Sequence, residues 1–333
     1  LLLIIDEGII GKDAYLLEQL IIFNNGGINM YKPAGSWVAI PTPFNETGTI
    51  DYEGFRTLLE FHAKHGTSTL LVMGSAGEVT LLSSEERHEI VRKVSKMAKG
   101  LIPVFFGATF PTTAETVNFC KFCEAEGADG LILSVPPYLL PPQEAVLKHM
   151  LTCMKSVSIP VGVYNNPSRV GVNIEPDTIE ILADECPNFV ADKEAMPHVS
   201  QLVEVRRRVG ERVHILCCDY PKYSIVLPTL ALGGHGTANI GGNIIPEEMA
   251  EISKPWDSIE QIEKCRNLYL KYYPLLQVLY WLSNPIVVKA AMNLLGLPAG
   301  KPRRPYPELG GEKLEQLKVI LSELGVIEKY RLD

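Results

Sequence analysis

The sequence predicts an α/β chain built as a (β/α)8 TIM barrel with a C-terminal helical appendage. Three observations carry this prediction. Eight short apolar runs recur between residues 36 and 240, separated by amphipathic stretches with helical spacing. The runs lack clean alternation of apolar and polar residues, as expected of parallel strands covered on both faces. Beyond residue 246 the rhythm stops and only helical patterns follow. A doubly wound sheet is the rival, and it requires a reversal of strand order that a sequence does not display.

The predicted strands are SWVAI (36–40), STLLVM (68–73), LIPVFF (101–106), GLILSV (130–135), PVGVY (160–164), NFVAD (188–192), VHILCC (213–218) and GTANI (236–240). A helix over 51–66 closes on Gly66, a residue suited to a left-handed C-terminal cap. The next, over 83–100, opens with Ser83 and Glu86 at capping-box spacing. Further helices are expected over 112–127, 142–157, 175–185, 196–210 and 220–234. In the tail, 246–279 and 284–296 read as helices, 301–311 as a Pro/Gly-rich loop and 311–326 as a last helix. This divides the chain into an N-terminal extension or interface arm (1–29), a barrel (30–245) and a helical region (246–333) packed on it.

With 333 residues, 46% apolar and 21% charged, the chain suits a folded globular protein rather than a disordered, collagenous or coiled-coil one. Its 39 acidic and 31 basic residues give a net charge of −8, no basis for binding nucleic acid or an anionic membrane surface. An anionic small substrate stays compatible, because one arginine can oppose the global sign. The first 29 residues begin apolar, but Asp6 and Glu7 interrupt the run, which is too short to span a membrane. They lack a basic leader and a cleavage site, so they read as a poor secretory signal and the default expected location is cytoplasmic; Met30 is the expected start because organised patterning begins just after it. Seven cysteines in such a length do not make a disulfide framework. Cys120 and Cys123 have CxxC spacing within a helical pattern, where packing is the first reading and a metal or redox role the second. His198, His214 and His235 are scattered and form no metal-binding motif. Neither a GxGxxG at the first strand nor a GxxxxGK[ST] is present, which disfavours a nucleotide enzyme.

Chemistry on such a barrel sits at the C-terminal ends of the strands. The second run leads into Gly74, Ser75, Ala76, Gly77 and Glu78, a tight turn whose N–H groups can hold a carboxylate or phosphate oxygen, or a turn with no further role. The fifth leads into Tyr164, Asn165, Asn166, Pro167, Ser168 and Arg169, offering a phenol as a proton relay and a guanidinium for a carboxylate. Their bland alternatives are a tyrosine plug and a surface arginine. Lys193 directly follows the sixth run. A desolvated, neutral lysine attacks a ketone to form an imine; a solvent-facing or ion-paired lysine does not. Tyr138 sits between proline pairs and could wall the pocket, Asp219 follows the seventh run, and Asn239 and Ile240 could supply backbone contacts.

Taken together, GSAGE (74–78), YNNPSR (164–169) and DKEA (192–195) resemble the dihydrodipicolinate synthase / N-acetylneuraminate lyase family of class I aldolases. The resemblance runs in order over residues 33–330, through AIPTPF (39–44) to SNPIVVKAAMNLLGL (283–297). It implies an enzyme needing no cofactor, in which a covalent imine between Lys193 and pyruvate or a related 2-oxo acid serves as the electron sink. On the same basis Tyr164 shuttles protons, Ser75 joins the relay, Gly74, Ala76 and Gly77 hold the pyruvate carboxylate, and Arg169 binds the carboxylate of an aldehyde co-substrate. The family implies a homotetramer or homodimer.

Three features depart from the family pattern. Ala76 stands where a second hydroxyl is usual. The loop reads Pro137, Tyr138, Leu139 where synthases carry two adjacent tyrosines, the second contributed to a neighbouring subunit; Tyr138 matches the first unless the match shifts by one residue. Ser84 and Arg87 stand where lysine-inhibited members carry histidines. Arg169 in its intact PSR context makes condensation of pyruvate with aspartate semialdehyde to 4-hydroxy-tetrahydrodipicolinate the first reading, while the Ala76 and Leu139 departures pull the other way. The alternatives are an aldolase or dehydratase for a 2-keto-3-deoxy sugar acid or 4-hydroxy-2-oxoglutarate, and a non-catalytic relative.

Overall fold

The computed structural model describes Tyr31 and residues 33–219 and 222–332. The expected N-terminal extension and the start at Met30 lie outside the described residues. Eight parallel strands close into a barrel in chain order, β8 pairing with β1. They are β1 (Gly35–Ala39), β2 (Thr69–Val72), β3 (Val104–Gly107), β4 (Gly130–Ser134), β5 (Val161–Asn165), β6 (Phe189–Glu194), β7 (His214–Cys218) and β8 (Gly236–Asn239). The doubly wound alternative is thereby ruled out. Nearly every strand residue is buried, which explains the unbroken apolar runs: one face of each strand fills the barrel and the other meets helices. Inside, the Trp37 and Phe105 rings lie 4.7 Å apart. Closure also needs bare backbone. A Cβ on Gly236, whose φ is +155°, would fall 2.1 Å from the Gly35 carbonyl oxygen.

Helices follow the strands: α1 (Tyr52–Lys64), α2 (Ser84–Ala98), α3 (Thr113–Ala125), α4 (Gln143–Met154), the single-turn α5 (Pro167–Val170), α6 (Pro176–Glu185), α7 (Val199–Val209) and α8 (Val226–Ala231). Their starts are written in the sequence. Asp51 accepts from the Gly54 N–H, Ser83 and Glu86 form the expected capping box, and Thr112 accepts from the Glu115 N–H. The helix expected over 220–234 shrinks to six residues, preceded by left-handed Lys222 and Tyr223.

The tail comprises α9 (Pro246–Ile252), α10 (Ile259–Val278), α11 (Ile286–Leu294), α12 (Gly311–Glu323) and α13 (Val326–Tyr330). The single helix expected over 246–279 is two. Pro255 lacks an N–H to continue the first, and Ser258 caps the second by accepting from the Gln261 N–H at 3.2 Å. Glu248 ties the region together, accepting from Tyr272 Oη (3.2 Å), Tyr330 Oη (2.6 Å) and Lys329 Nζ (2.8 Å). Tyr330 in turn packs edge-on against Phe61 and His65 beside α1.

Candidate active site

β6 runs two residues further than the sequence suggested, so Lys193 lies within the strand rather than after it. Its register partner on β5 is Tyr164. Residues paired across neighbouring parallel strands share a face, and here the Lys193 Nζ sits 4.1 Å from the centre of the Tyr164 ring. Lys193 is only 7% exposed, at the C-terminal mouth where barrel chemistry is found.

The Tyr164 hydroxyl accepts from Asn166 Nδ2 at 2.7 Å and lies 3.5 Å from Cys218 Sγ at the end of β7. Burial, reinforced by Cys218, raises the phenol well above its ordinary value, and the charge of Arg169 opposes the rise. Tyr164 is therefore a neutral phenol at rest. Asp219 follows Cys218 and is 3% exposed. It accepts from the Ile240 N–H at 2.6 Å and from Cys218 Sγ at 3.4 Å. Burial raises its carboxyl, while the Lys193 charge and the hydroxyl of Tyr280 pull it back.

The turn after β2 has the tight geometry its glycines imply. Gly77 packs so closely that a Cβ would meet the Met73 backbone at 3.1 Å, and its carbonyl accepts from Thr42 Oγ1 at 2.7 Å. Met73 and Glu78, at the two ends, both have positive φ. Gly74 and Ser75 are partly exposed, whereas Ala76 is fully buried, backbone included. Arg169 lies exposed on α5, within electrostatic reach of Tyr164.

Other sequence candidates fall elsewhere. Tyr138 is 94% exposed with φ +76°, so it does not wall the pocket of its own chain. The Ile240 N–H is taken by Asp219, and its carbonyl accepts from Asn243. Asn239 is fully buried, its side chain bonded to Ser36, Thr237 and the Gly242 N–H.

Three contributors escaped the sequence reading. Cys218 was counted only among the cysteines, although the strand-end rule used for Lys193 points to it equally. Asn166 was quoted only as part of a motif. Tyr280 follows α10 in the apolar run PLLQVLYWL (274–282), and its phenol is the available signal: a polar atom in an apolar run needs a partner, here Asp219.

The opposite face of β6 carries two carboxyls flanking Lys193. Glu194 accepts from Asn165 Nδ2, Gln201 Nε2 and the Met196 N–H, and burial raises it to about 7. Both oxygens of Asp192 are buried without a hydrogen-bond partner among the described residues. Burial first, and Glu194 second, push Asp192 well above the usual carboxylate range, so it stays protonated.

His214 and His235, read as scattered, are stacked with ring centres 3.7 Å apart, and Glu211 joins them at the start of β7. The donor atoms lie within 4.8 Å, but the hydrogen bonds point to a neutral His235 donating to Glu211 rather than to a metal. His235 Nδ1 accepts from the Ile215 N–H, which puts the ring proton on Nε2, facing Glu211 Oε2 at 3.0 Å. Glu211 Oε1 is held by Arg206. Cys120 and Cys123 are buried on α3, and burial raises both thiols, the opposite of a ligating or redox-active pair.

No helix among the described residues is long and apolar enough to cross a membrane. Residues 32–324 match the Dihydrodipicolinate synthetase family. The 4-hydroxy-tetrahydrodipicolinate synthase of Methanococcus vannielii is 33% identical over 298 residues, 88% of this chain and 99% of that protein. The crystal structure of dihydrodipicolinate synthase from Aquifex aeolicus superposes with a TM-score of 0.83 at 35% identity, covering 88% of this chain and 99% of that one. The 4-hydroxy-tetrahydrodipicolinate synthase of Methylacidiphilum fumariolicum SolV gives 0.83 at 31% identity, covering 90% and 100%. A lysine and a tyrosine paired across β5 and β6, at the mouth of a closed barrel, thus have their setting explained: the chain belongs to the Dihydrodipicolinate synthetase family.

Proposed function

We propose that this protein is a 4-hydroxy-tetrahydrodipicolinate synthase that condenses pyruvate with aspartate semialdehyde through an imine on Lys193. The observation that carries the reading is the Lys193 Nζ, 7% exposed and 4.1 Å from the ring of a neutral tyrosine. Pyruvate enters with its carboxylate against the N–H groups of the 74–78 turn. The unprotonated amine of Lys193 adds to the ketone, and loss of water gives the iminium. Its positive charge is opposed by Asp219, whose carboxyl already interacts with the Lys193 ammonium. The iminium draws electrons from the adjacent methyl group, and loss of a methyl proton gives the enamine. Tyr164, bonded to Asn166 and beside Cys218, passes protons to and from the reacting atoms, with Ser75 at the turn as its relay partner. The enamine carbon attacks the aldehyde, whose carboxylate pairs with Arg169, and ring closure by the co-substrate amine releases Lys193.

The exposed Tyr138, Leu139 and Leu140 suit a loop covered by a second copy of the chain, which supports a homodimer or homotetramer. Seven buried cysteine thiols accord with the cytoplasm. Borohydride reduction in the presence of pyruvate tests the first half: covalent mass on Lys193 is expected, and its absence refutes the reading. Turnover of pyruvate with aspartate semialdehyde, against a panel of 2-keto-3-deoxy sugar acids and 4-hydroxy-2-oxoglutarate, tests the second. Activity confined to the panel assigns the same imine chemistry to the aldolase or dehydratase alternative.

A further inference from the structure

Behind the 74–78 turn lies an ion pair sealed from water on both sides. The Lys289 Nζ, from α11, is 2.7 Å from Glu78 Oε1, with side-chain exposures of 1% and 0%. The second Glu78 oxygen accepts the Arg303 N–H at 2.7 Å. Lys289 also donates to the Lys301 carbonyl at 3.3 Å and lies 4.3 Å above the Phe44 ring. The Arg303 guanidinium packs 4.3 Å over the same ring and bonds Glu86 on α2 at 2.8 Å. Every charged group in the cluster comes either from the turn and α2 or from the C-terminal region.

Such a pair is a poor device for stability alone, because desolvating two charges offsets most of their attraction and an apolar pair of similar shape serves as well. It is a good device for fixing a position, since neither charge can leave its partner without being stranded in a dry interior. What it fixes is specific. Glu78 ends the turn in the left-handed region, with φ +55°. Its N–H reaches the Ser75 carbonyl at 3.3 Å, the Val79 N–H reaches the Gly74 carbonyl at 3.4 Å, and Thr42 holds the Gly77 carbonyl. The partly exposed front of the turn, Gly74 and Ser75, is thereby held in place from behind.

We propose that Glu78 and Lys289 are positioning residues: the buried pair holds the 74–78 turn from behind, so that the C-terminal helical region sets the affinity of the site for the carboxylate of the 2-oxo acid. This rests on the reading that the turn receives that carboxylate. It predicts an effect confined to the first substrate, which a purely structural role would not produce.

The test is the full-length double variant Glu78→Gln/Lys289→Met, which removes both charges and leaves neither stranded. Borohydride trapping of the Lys193 imine is measured against pyruvate concentration, with kcat, both KM values and thermal melting alongside. The half-saturating pyruvate concentration is expected to rise by about tenfold or more, with the KM for aspartate semialdehyde within about twofold of wild type and a similar melting temperature. A variant that melts like wild type and traps imine at unchanged pyruvate concentrations overturns the proposal. Should the double variant fail to fold, Glu78→Asp keeps the charge but retracts the carboxylate by one methylene. The same rise in pyruvate requirement is expected there, and unchanged trapping overturns the proposal equally. Wild-type protein that traps no pyruvate at all overturns the functional reading, and this inference with it.

Discussion

Replacing Tyr164 by Phe separates what its hydroxyl does from what its ring does. The ring stays beneath Lys193, 4.1 Å from the amine in the parent, so the cation–π contact of about 1–2 kcal/mol in a desolvated site is retained. The hydroxyl is lost, and with it the 2.7 Å bond from Asn166, itself only 1% exposed. Ser168 Oγ still donates to Asn166 Oδ1, so the amide keeps its orientation but gains an unpaired donor. That costs about 1–3 kcal/mol of stability. General acid–base catalysis by one positioned group contributes roughly 10²–10⁴ in rate, or about 3–5.5 kcal/mol at 1.36 kcal/mol per decade. The expected outcome is a fall in kcat of about 10²–10⁴ alongside a modest drop in melting temperature. Saturating pyruvate should still yield borohydride-trapped imine, formed more slowly. Steady-state kinetics, trapping monitored by mass spectrometry and a thermal melt make the three measurements. A kcat within threefold of wild type would refute the assignment of the phenol as proton carrier. A full loss of trapping would show that the hydroxyl is needed to place or deprotonate Lys193 instead.

Lys193→Ala should abolish imine trapping while leaving the melting curve cooperative; covalent pyruvate elsewhere on the chain would move the nucleophile. Arg169→Ala should raise the KM for aspartate semialdehyde by about tenfold or more while imine formation with pyruvate stays within about twofold, because a charge-assisted pair to one carboxylate is lost; equal loss in both steps would contradict its role. Asp192 has a raised folded-state pKa, so the folded state binds a proton that the unfolded state releases, and stability falls as pH rises above the ordinary aspartate value. Asp192→Asn removes that dependence, and thermal melts should show it gaining more over wild type at pH 8 than at pH 5; a pH-independent difference would mean that Asp192 is ionised in the fold. Gly130→Ala should destabilise by about 1–3 kcal/mol in denaturant titration, since its Cβ would fall 2.3 Å from the Phe105 ring inside the barrel; an unchanged midpoint would show the ring free to move.

What was legible in the sequence follows the range of the physics involved. Strand runs and helix caps are local: Ser83 and Glu86 meet because they are three residues apart on a forming helix. Lys193 and Tyr164 could be brought together because both end their apolar runs, and a parallel barrel delivers such ends to one rim. The split between α9 and α10 was also written locally, in Pro255 and Ser258, but the surrounding apolar periodicity masked it. Contacts between distant segments were not legible. Nothing near Lys289 marks it as the partner of Glu78, and nothing near His214 announces its stack with His235. The outward turn of Tyr138 is a backbone matter, set by left-handed conformations at Tyr138 and Leu140 that no residue type there favours.

Strand β6 is hydrogen-bonded to β5 on one side and β7 on the other along the stretch that bears Lys193. Arg169 and Tyr138, by contrast, sit on connecting segments outside the ladder. On the proposed reading, the two halves of the reaction are held by parts of the chain with very different tolerance for change. Activation of the keto acid is anchored to a scaffold that cannot drift without opening the barrel. With Arg169 as the proposed carboxylate partner, choice of the electrophile rests on a connection that can be rewritten residue by residue while the nucleophile stays where it is.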